Sequence, residues 1–294
     1  EHEIANIFAV QDEITAAVAS AIEPRLVAAE AVRAHNRSSD NLSAWDMVMK
    51  AMSRYWRMTS EDSKIAIEML REAVKRYPSY GPAHSMLAFA IAASGSVGWI
   101  TSWPSAAQVA SASELARRAI ALDHEDPWAR LALGFVAFTQ RNTEEAIGEL
   151  RLAIDLNPNF ATAYGYLGWA LAFDGQSIEA RKNFEHALRM SPHDPLKAFF
   201  NSGTGVTYYY EDKFDAAAEW ARRAIHLRPD FIAAHRILVA ALAQAERKEE
   251  AALAMARLRE LQPDLTIDWV KEKVPYTDRA MPHFLAGMRK AGLE

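Results

Sequence analysis

The chain contains no cysteine. Disulfides, thiolate metal sites and cysteine nucleophiles are therefore excluded, and the composition suits a reducing, cytoplasmic setting. Long apolar runs are also missing. Leu131 to Phe138 and Ile237 to Ala243 fall far short of the roughly 18 residues a membrane helix needs, so no membrane insertion is expected. Positive charge is not in excess: 33 Lys and Arg stand against 38 Asp and Glu. A basic surface for nucleic acid or anionic lipid is thus not expected. No segment alternates strictly between apolar and polar residues between turn signals, so no sheet is expected. The opening Glu1-His2-Glu3-Ile4 has no Met, basic region or apolar run, so it is not expected to be a signal peptide. A start without Met leads us to expect a segment of a longer chain.

A repeat runs through the 294 residues. Its clearest unit carries Tyr164, Leu167-Gly168, Leu171, Ala180, Phe184, Ala187 and Pro192. Small residues at Gly168 and Ala180 allow two helices to cross closely, Phe184 fills the space between them, and Pro192 ends the second helix. Upstream the skeleton recurs as Leu133-Gly134, Ala146, Leu150, Ala153 and Pro158. Downstream it recurs as Gly205, Tyr208, Ala217, Ala221, Ala224 and Pro229, then Leu238, Leu242, Ala251, Met255 and Pro263. Pro158 to Pro192 and Pro229 to Pro263 are each spaced by 34 residues. Two stretched units lie earlier, one on Trp45, Ala66, Leu70, Ala73 and Pro78, the other on Leu87-Ala88, Ala112, Ala116 and Ala119. Apolar residues within units fall at helical spacing, as in Ala146, Ile147, Leu150, Ala153 and Ile154. Asn142-Thr143-Glu144-Glu145 reads as a capped helix start with first-turn carboxylates.

This pattern resembles the tetratricopeptide repeat. The resemblance implies an all-α fold, a right-handed α-α superhelix of about six helical hairpins with flanking capping helices. The expected layout is an N-terminal helical segment over 1–35, a repeat array over 42–265 and C-terminal capping helices over 266–294. The stretch from Gly95 to Pro104 is the one long loop expected, mobile or docked through Trp99 and Trp103. The flanks add to this. Ile7-Phe8-Ala9-Val10-Gln11-Asp12-Glu13-Ile14-Thr15 resembles the tail of the TolB-like module in bacterial class III adenylate or guanylate cyclases. Phe284-Leu285-Ala286-Gly287-Met288-Arg289-Lys290-Ala291-Gly292-Leu293 is similar to their C-terminal signature. The resemblance implies a cyclase domain upstream of Glu1; the same tail also accompanies DNA-binding regulators.

Catalytic, cofactor and metal residues are not found. The nine histidines are scattered without ligand spacing, and Gly95 and Gly98 form no phosphate loop. The informative constellation is aromatic. Projected onto the fold, the first helices place Trp128, Phe135, Phe138, Tyr166, Trp169, Phe173, Phe199, Tyr209 and Tyr210 on or near a concave groove, with Arg236 beside them. Packing between neighbouring helices accounts for part of this row; an excess over packing marks an interaction surface. The expected function is a non-catalytic scaffold for a protein or peptide partner, which the parent chain itself can supply. A freestanding adaptor is the alternative. No cofactor is expected, and a homodimer is compatible with the sequence.

Overall fold

The computed structural model describes residues 39–93, 105–192 and 194–294. The chain divides into two units, 1–46 and 47–294. Of the first, only 39–46 are described, within the opening turns of the helix that leads into the second. The N-terminal motif at 7–15 and the loop at 95–104 lie outside the described residues, as does His193.

Among the described residues there are fourteen helices and no strands. Twelve form six consecutive pairs: α1 (Ser39–Tyr55) with α2 (Ser60–Arg76), α3 (Gly81–Ala93) with α4 (Ala106–Leu122), α5 (Pro127–Thr139) with α6 (Thr143–Leu156), α7 (Ala161–Phe173) with α8 (Ser177–Met190), α9 (Lys197–Tyr209) with α10 (Phe214–Leu227), and α11 (Ile232–Gln244) with α12 (Lys248–Leu261). Two shorter helices follow, α13 (Ile267–Lys273) and α14 (Met281–Lys290).

The spacing of small and large residues produces the pairing. Phe184 on α8 is fully buried, and its ring lies against Gly168 of its own partner helix and Gly203 of the next repeat. A Cβ at either glycine would overlap that ring. Gly134 makes the same space for Leu150. Alanines at the equivalent positions of the second helices (Ala66, Ala112, Ala146, Ala180, Ala217) are wholly inaccessible to solvent. Second helices bury one stripe and leave the other in water, whereas α3 and α7 are buried nearly all round.

Each of the five described hairpin turns passes through one residue in the left-handed region: Met58, Arg141, Gly175, Asp212 and Glu246, with φ of 62°, 61°, 81°, 57° and 59°. Only one of the five is glycine, so the conformation is imposed by the packed helices on either side. The start of α6 differs from the sequence expectation. Asn142 makes no side-chain cap; its Nδ2 donates instead to Glu145 Oε2 at 2.6 Å.

The array winds tightly. Arg228, in the turn before α11, donates from Nη2 to the Met58 carbonyl at 3.1 Å, joining the first hairpin turn to the fifth repeat. Two histidines brace successive repeats in the same way. His84 Nε2–H donates to Pro78 O at 3.0 Å, and His235 Nε2–H to Pro229 O at 2.9 Å. Each thereby ties a first helix to the proline that closes the preceding unit.

Candidate functional site

The first helices carry the aromatic residues because helical spacing returns every third or fourth position to one face. Ring contacts then run from repeat to repeat. Phe89 meets Trp128 at 5.2 Å between centroids, Phe135 meets Tyr166 at 4.8 Å, and Tyr166 meets Phe199 at 5.2 Å. Trp169 meets Phe199 at 4.9 Å, and Phe138 meets Phe173 at 5.4 Å. The edge-on and tilted arrangements are those aromatic quadrupoles favour.

All nine aromatics singled out from the sequence join this network, but they are covered. Phe135, Phe138, Tyr166, Trp169, Phe173, Phe199 and Tyr209 are buried; Trp128, Tyr210 and Arg236 are half-buried. The open apolar patch expected on this face is therefore not present among the described residues. Glycines and alanines bring neighbouring first helices close enough for the rings to spend their surfaces on one another. The far end of the row is covered by the C-terminal segment. Sequence reasoning missed Tyr276, Thr277 and Arg141, which make that cover, as well as Tyr55 and Phe89. Pro275 and Thr277 flanking an aromatic outside the repeat pattern was the one available signal for the first two; Arg141 had none.

The segment from Lys271 to Lys290 runs along the hairpin turns in the same order as the repeats, from the third hairpin to the sixth. Arg141, at the turn between α5 and α6, donates from Nη2 to the carbonyls of Lys271, Glu272 and Val274, the last two at 3.3 and 3.2 Å. Thr277 donates to Phe173 O through its backbone N at 3.3 Å and its Oγ1 at 3.0 Å. Tyr210 Oη donates to Ala280 O at 3.0 Å and Tyr209 Oη to His283 O at 3.0 Å. Asp212 stands 3.3 Å from His283, and Glu246 accepts from Lys290 Nζ at 2.5 Å. Three of the left-handed turn residues, Arg141, Asp212 and Glu246, thus contact this one segment. Between these polar contacts Tyr276 inserts its ring 4.1 Å from Phe173 and 4.8 Å from Phe284.

Burial dominates the electrostatics here. It raises the Tyr276 and Tyr210 hydroxyls well above the ordinary tyrosine range and pushes Tyr209 up to about 12. All three stay neutral donors at physiological pH. Burial also lowers Arg236 to about 10, which leaves it a cation. Its guanidinium lies over the Trp269 ring at 4.8 Å, and its Nε donates to Gln262 Oε1 at 3.1 Å.

Among the described residues no cluster of three or more His, Asp or Glu side chains could hold a metal ion. A hollow of about 650 Å³ on the outer side gathers Lys197, Arg222, Arg223 and His226. Its cations are already engaged: Arg222 pairs with Glu250 at 2.7 Å, Arg223 with Glu219, and Lys197 Nζ donates to Pro192 O at 3.2 Å. None of the described helices is long and apolar enough to cross a membrane.

Residues 150–182 match the Tetratricopeptide repeat family. The solved structure of pilF from Pseudomonas aeruginosa superposes with a TM-score of 0.53 at 18% identity, covering 78% of this chain and 96% of that one. The fold is a tetratricopeptide repeat solenoid. The tetratricopeptide array is also similar to a chain of the APC/C hetero-tetramer Cut9-Hcn1, with a TM-score of 0.59 at 17% identity, over 72% of this chain and 39% of that one. Among curated relatives, "Putative adenylate cyclase 3" of Rhizobium meliloti (strain 1021) is 28% identical over 143 residues. That match covers 48% of this chain and 24% of the relative's length.

Proposed function

We propose that the chain is a non-catalytic interaction scaffold, the C-terminal repeat region of a multidomain nucleotide cyclase. The observation that carries the binding part is the loop edge beside the aromatic row, which already holds an extended polypeptide segment through its main chain. Such main-chain capture beside apolar pockets is a recurring mode of peptide recognition. On this reading the covered row of Trp128, Phe135, Phe138, Tyr166, Trp169, Phe173, Phe199, Tyr209 and Tyr210, with Arg236, lies behind the recognition edge and supports it, and residues 42–265 are the functional array. The segment 266–294 is its cover and 1–35 the tail of an upstream module. The setting we assign is cytoplasmic.

The cyclase part is supported by the flanking motifs and by the match to the Rhizobium meliloti relative. Reading the coding sequence upstream of Glu1 tests it. A class III cyclase domain with its two metal-binding aspartates is the expected result, and a DNA-binding domain there would replace this reading with that of a transcriptional regulator.

A further inference from the structure

The contacts that hold the C-terminal segment differ in kind along its length. From Met281 onward α14 packs as a helix onto α11, with Gly287 beneath the Tyr209 hydroxyl and against Ala240. The preceding stretch, 274–280, has no regular structure up to the turn that opens α14. It is held mainly by bonds between its main chain and the side chains or carbonyls of the repeat turns. Its aromatic anchor is Tyr276, seated on Phe173, with Val274, Pro275 and Ala280 buried beside it. Carbonyls and N–H groups are common to every polypeptide, so apart from the Thr277 hydroxyl on Phe173 O the Arg141, Phe173 and Tyr210 contacts do not demand this particular sequence.

We propose that the edge formed by Arg141, the Phe173 carbonyl and Tyr210 is a peptide-binding track whose resident occupant is the chain's own 274–280 stretch. A partner offering the same chemistry displaces it: an extended Pro–aromatic–Thr segment with a basic residue two positions further on. The proposal rests on reading the array as a partner-binding scaffold and names that partner's recognition element. The basic residue is argued from Arg279, whose Nε lies near Gly175 at the turn between α7 and α8, a position open to a passing side chain. Displacement leaves α14 in place on α11. Tyr276 leaving its seat opens the Phe173 end of the aromatic row, so occupation of the track and access to the row are one event.

A labelled peptide of residues 271–283, titrated into the full chain, tests this. The Tyr276→Ser chain, which weakens the resident occupant without altering the track, is expected to bind the peptide at least ten-fold tighter than the wild type. Adding Arg141→Gln is expected to abolish that gain. Equal affinity of wild type and Tyr276→Ser, or binding indifferent to Arg141→Gln, overturns the proposal. So does dimerisation of Tyr276→Ser without peptide uptake, which would assign the track to a second copy. Hydrogen exchange on the unaltered chain gives a readout independent of variant folding. The Thr277 amide is expected to exchange at least ten-fold faster than the amides of α7, and exchange of both at one common rate overturns the proposal. Failure here leaves the cyclase assignment standing, because that is decided by the upstream coding sequence.

Discussion

At the scale of single residues, Phe184 shows how one side chain joins two repeats. Its ring fills the space left by Gly168 and Gly203, so it belongs equally to its own hairpin and to the next. Phe184→Ala should cost about 3–5 kcal/mol through the cavity it leaves, and Ala180→Leu should also destabilise by overpacking. Denaturation midpoints of the two variants check both, with wild-type stability in either contradicting the register. Trp169 carries a different lesson. It is 4% exposed, yet its Nε1–H has no partner among the described residues. Trp169→Phe should therefore change stability by less than about 1.5 kcal/mol, far less than Trp169→Ala. The paired histidines predict a pH dependence. Burial depresses the pKa of both His84 and His235, against the opposing effect of their bonds to proline carbonyls. The unfolded chain then takes up protons first as pH falls below about 6.5. The stability these residues contribute is complete above that value and lost as pH drops through their folded values. Thermal midpoints between pH 7.5 and 5 should fall, and the fall should be smaller in His84→Gln/His235→Gln.

Among elements, the hairpin turns were the least legible part of the fold. The helices themselves could be read, because small residues at 134 and 168 and at 146 and 180, and large ones at 150 and 184, each recur 34 residues apart. Gly175 and Asp212 are residue types that accept the left-handed region, whereas Met58, Arg141 and Glu246 adopt the same conformation with nothing in their chemistry to signal it. There the demand comes from two packed helices and overrides local preference. The aromatic row was legible as a set, since all nine rings meet, but its cover was not. That cover depends on hydrogen bonds between residues about 70 to 130 positions apart, such as Tyr210 to Ala280 and Arg141 to Lys271. No local pattern carries information of that range. The turns yield a paired prediction. Gly175→Ala should lose about 1–2 kcal/mol by placing a Cβ in the left-handed region. Glu246→Gly should gain up to about 1 kcal/mol, because relief of that strain exceeds the added chain entropy and its exposed pair with Lys290 contributes little. Thermal melts of the two variants should move in opposite directions.

For the whole molecule, the tight winding and the returning C-terminal segment mean that distant repeats share one interior. Arg228 on Met58 and Arg141 on Val274 join residues 170 and 133 positions apart. A repeat array is ordinarily a chain of nearest-neighbour interfaces; these closures add couplings that such an array lacks. Gly287→Val tests their reach. A side chain there meets the Tyr209 hydroxyl and the Ala240 backbone, so α14 should lift from α11 at a cost of about 1–3 kcal/mol. Trypsin should then cut at Arg279 and Arg289 sooner than in the wild type, while circular dichroism retains the helices of the array. Unchanged cleavage at those two sites would mean that α14 tolerates the substitution without leaving its seat.

The cover of the aromatic row is encoded after the row itself. Residues 271–290 are synthesised after every helix they close over, and translation at about 5–20 residues per second delays the stretch from Lys271 to Glu294 by roughly 1–5 s. A nascent chain on the ribosome therefore presents the Phe173 end of the row uncovered for that interval. The same rings that end as interior are, for those seconds, the surface that a chaperone or a waiting partner meets first.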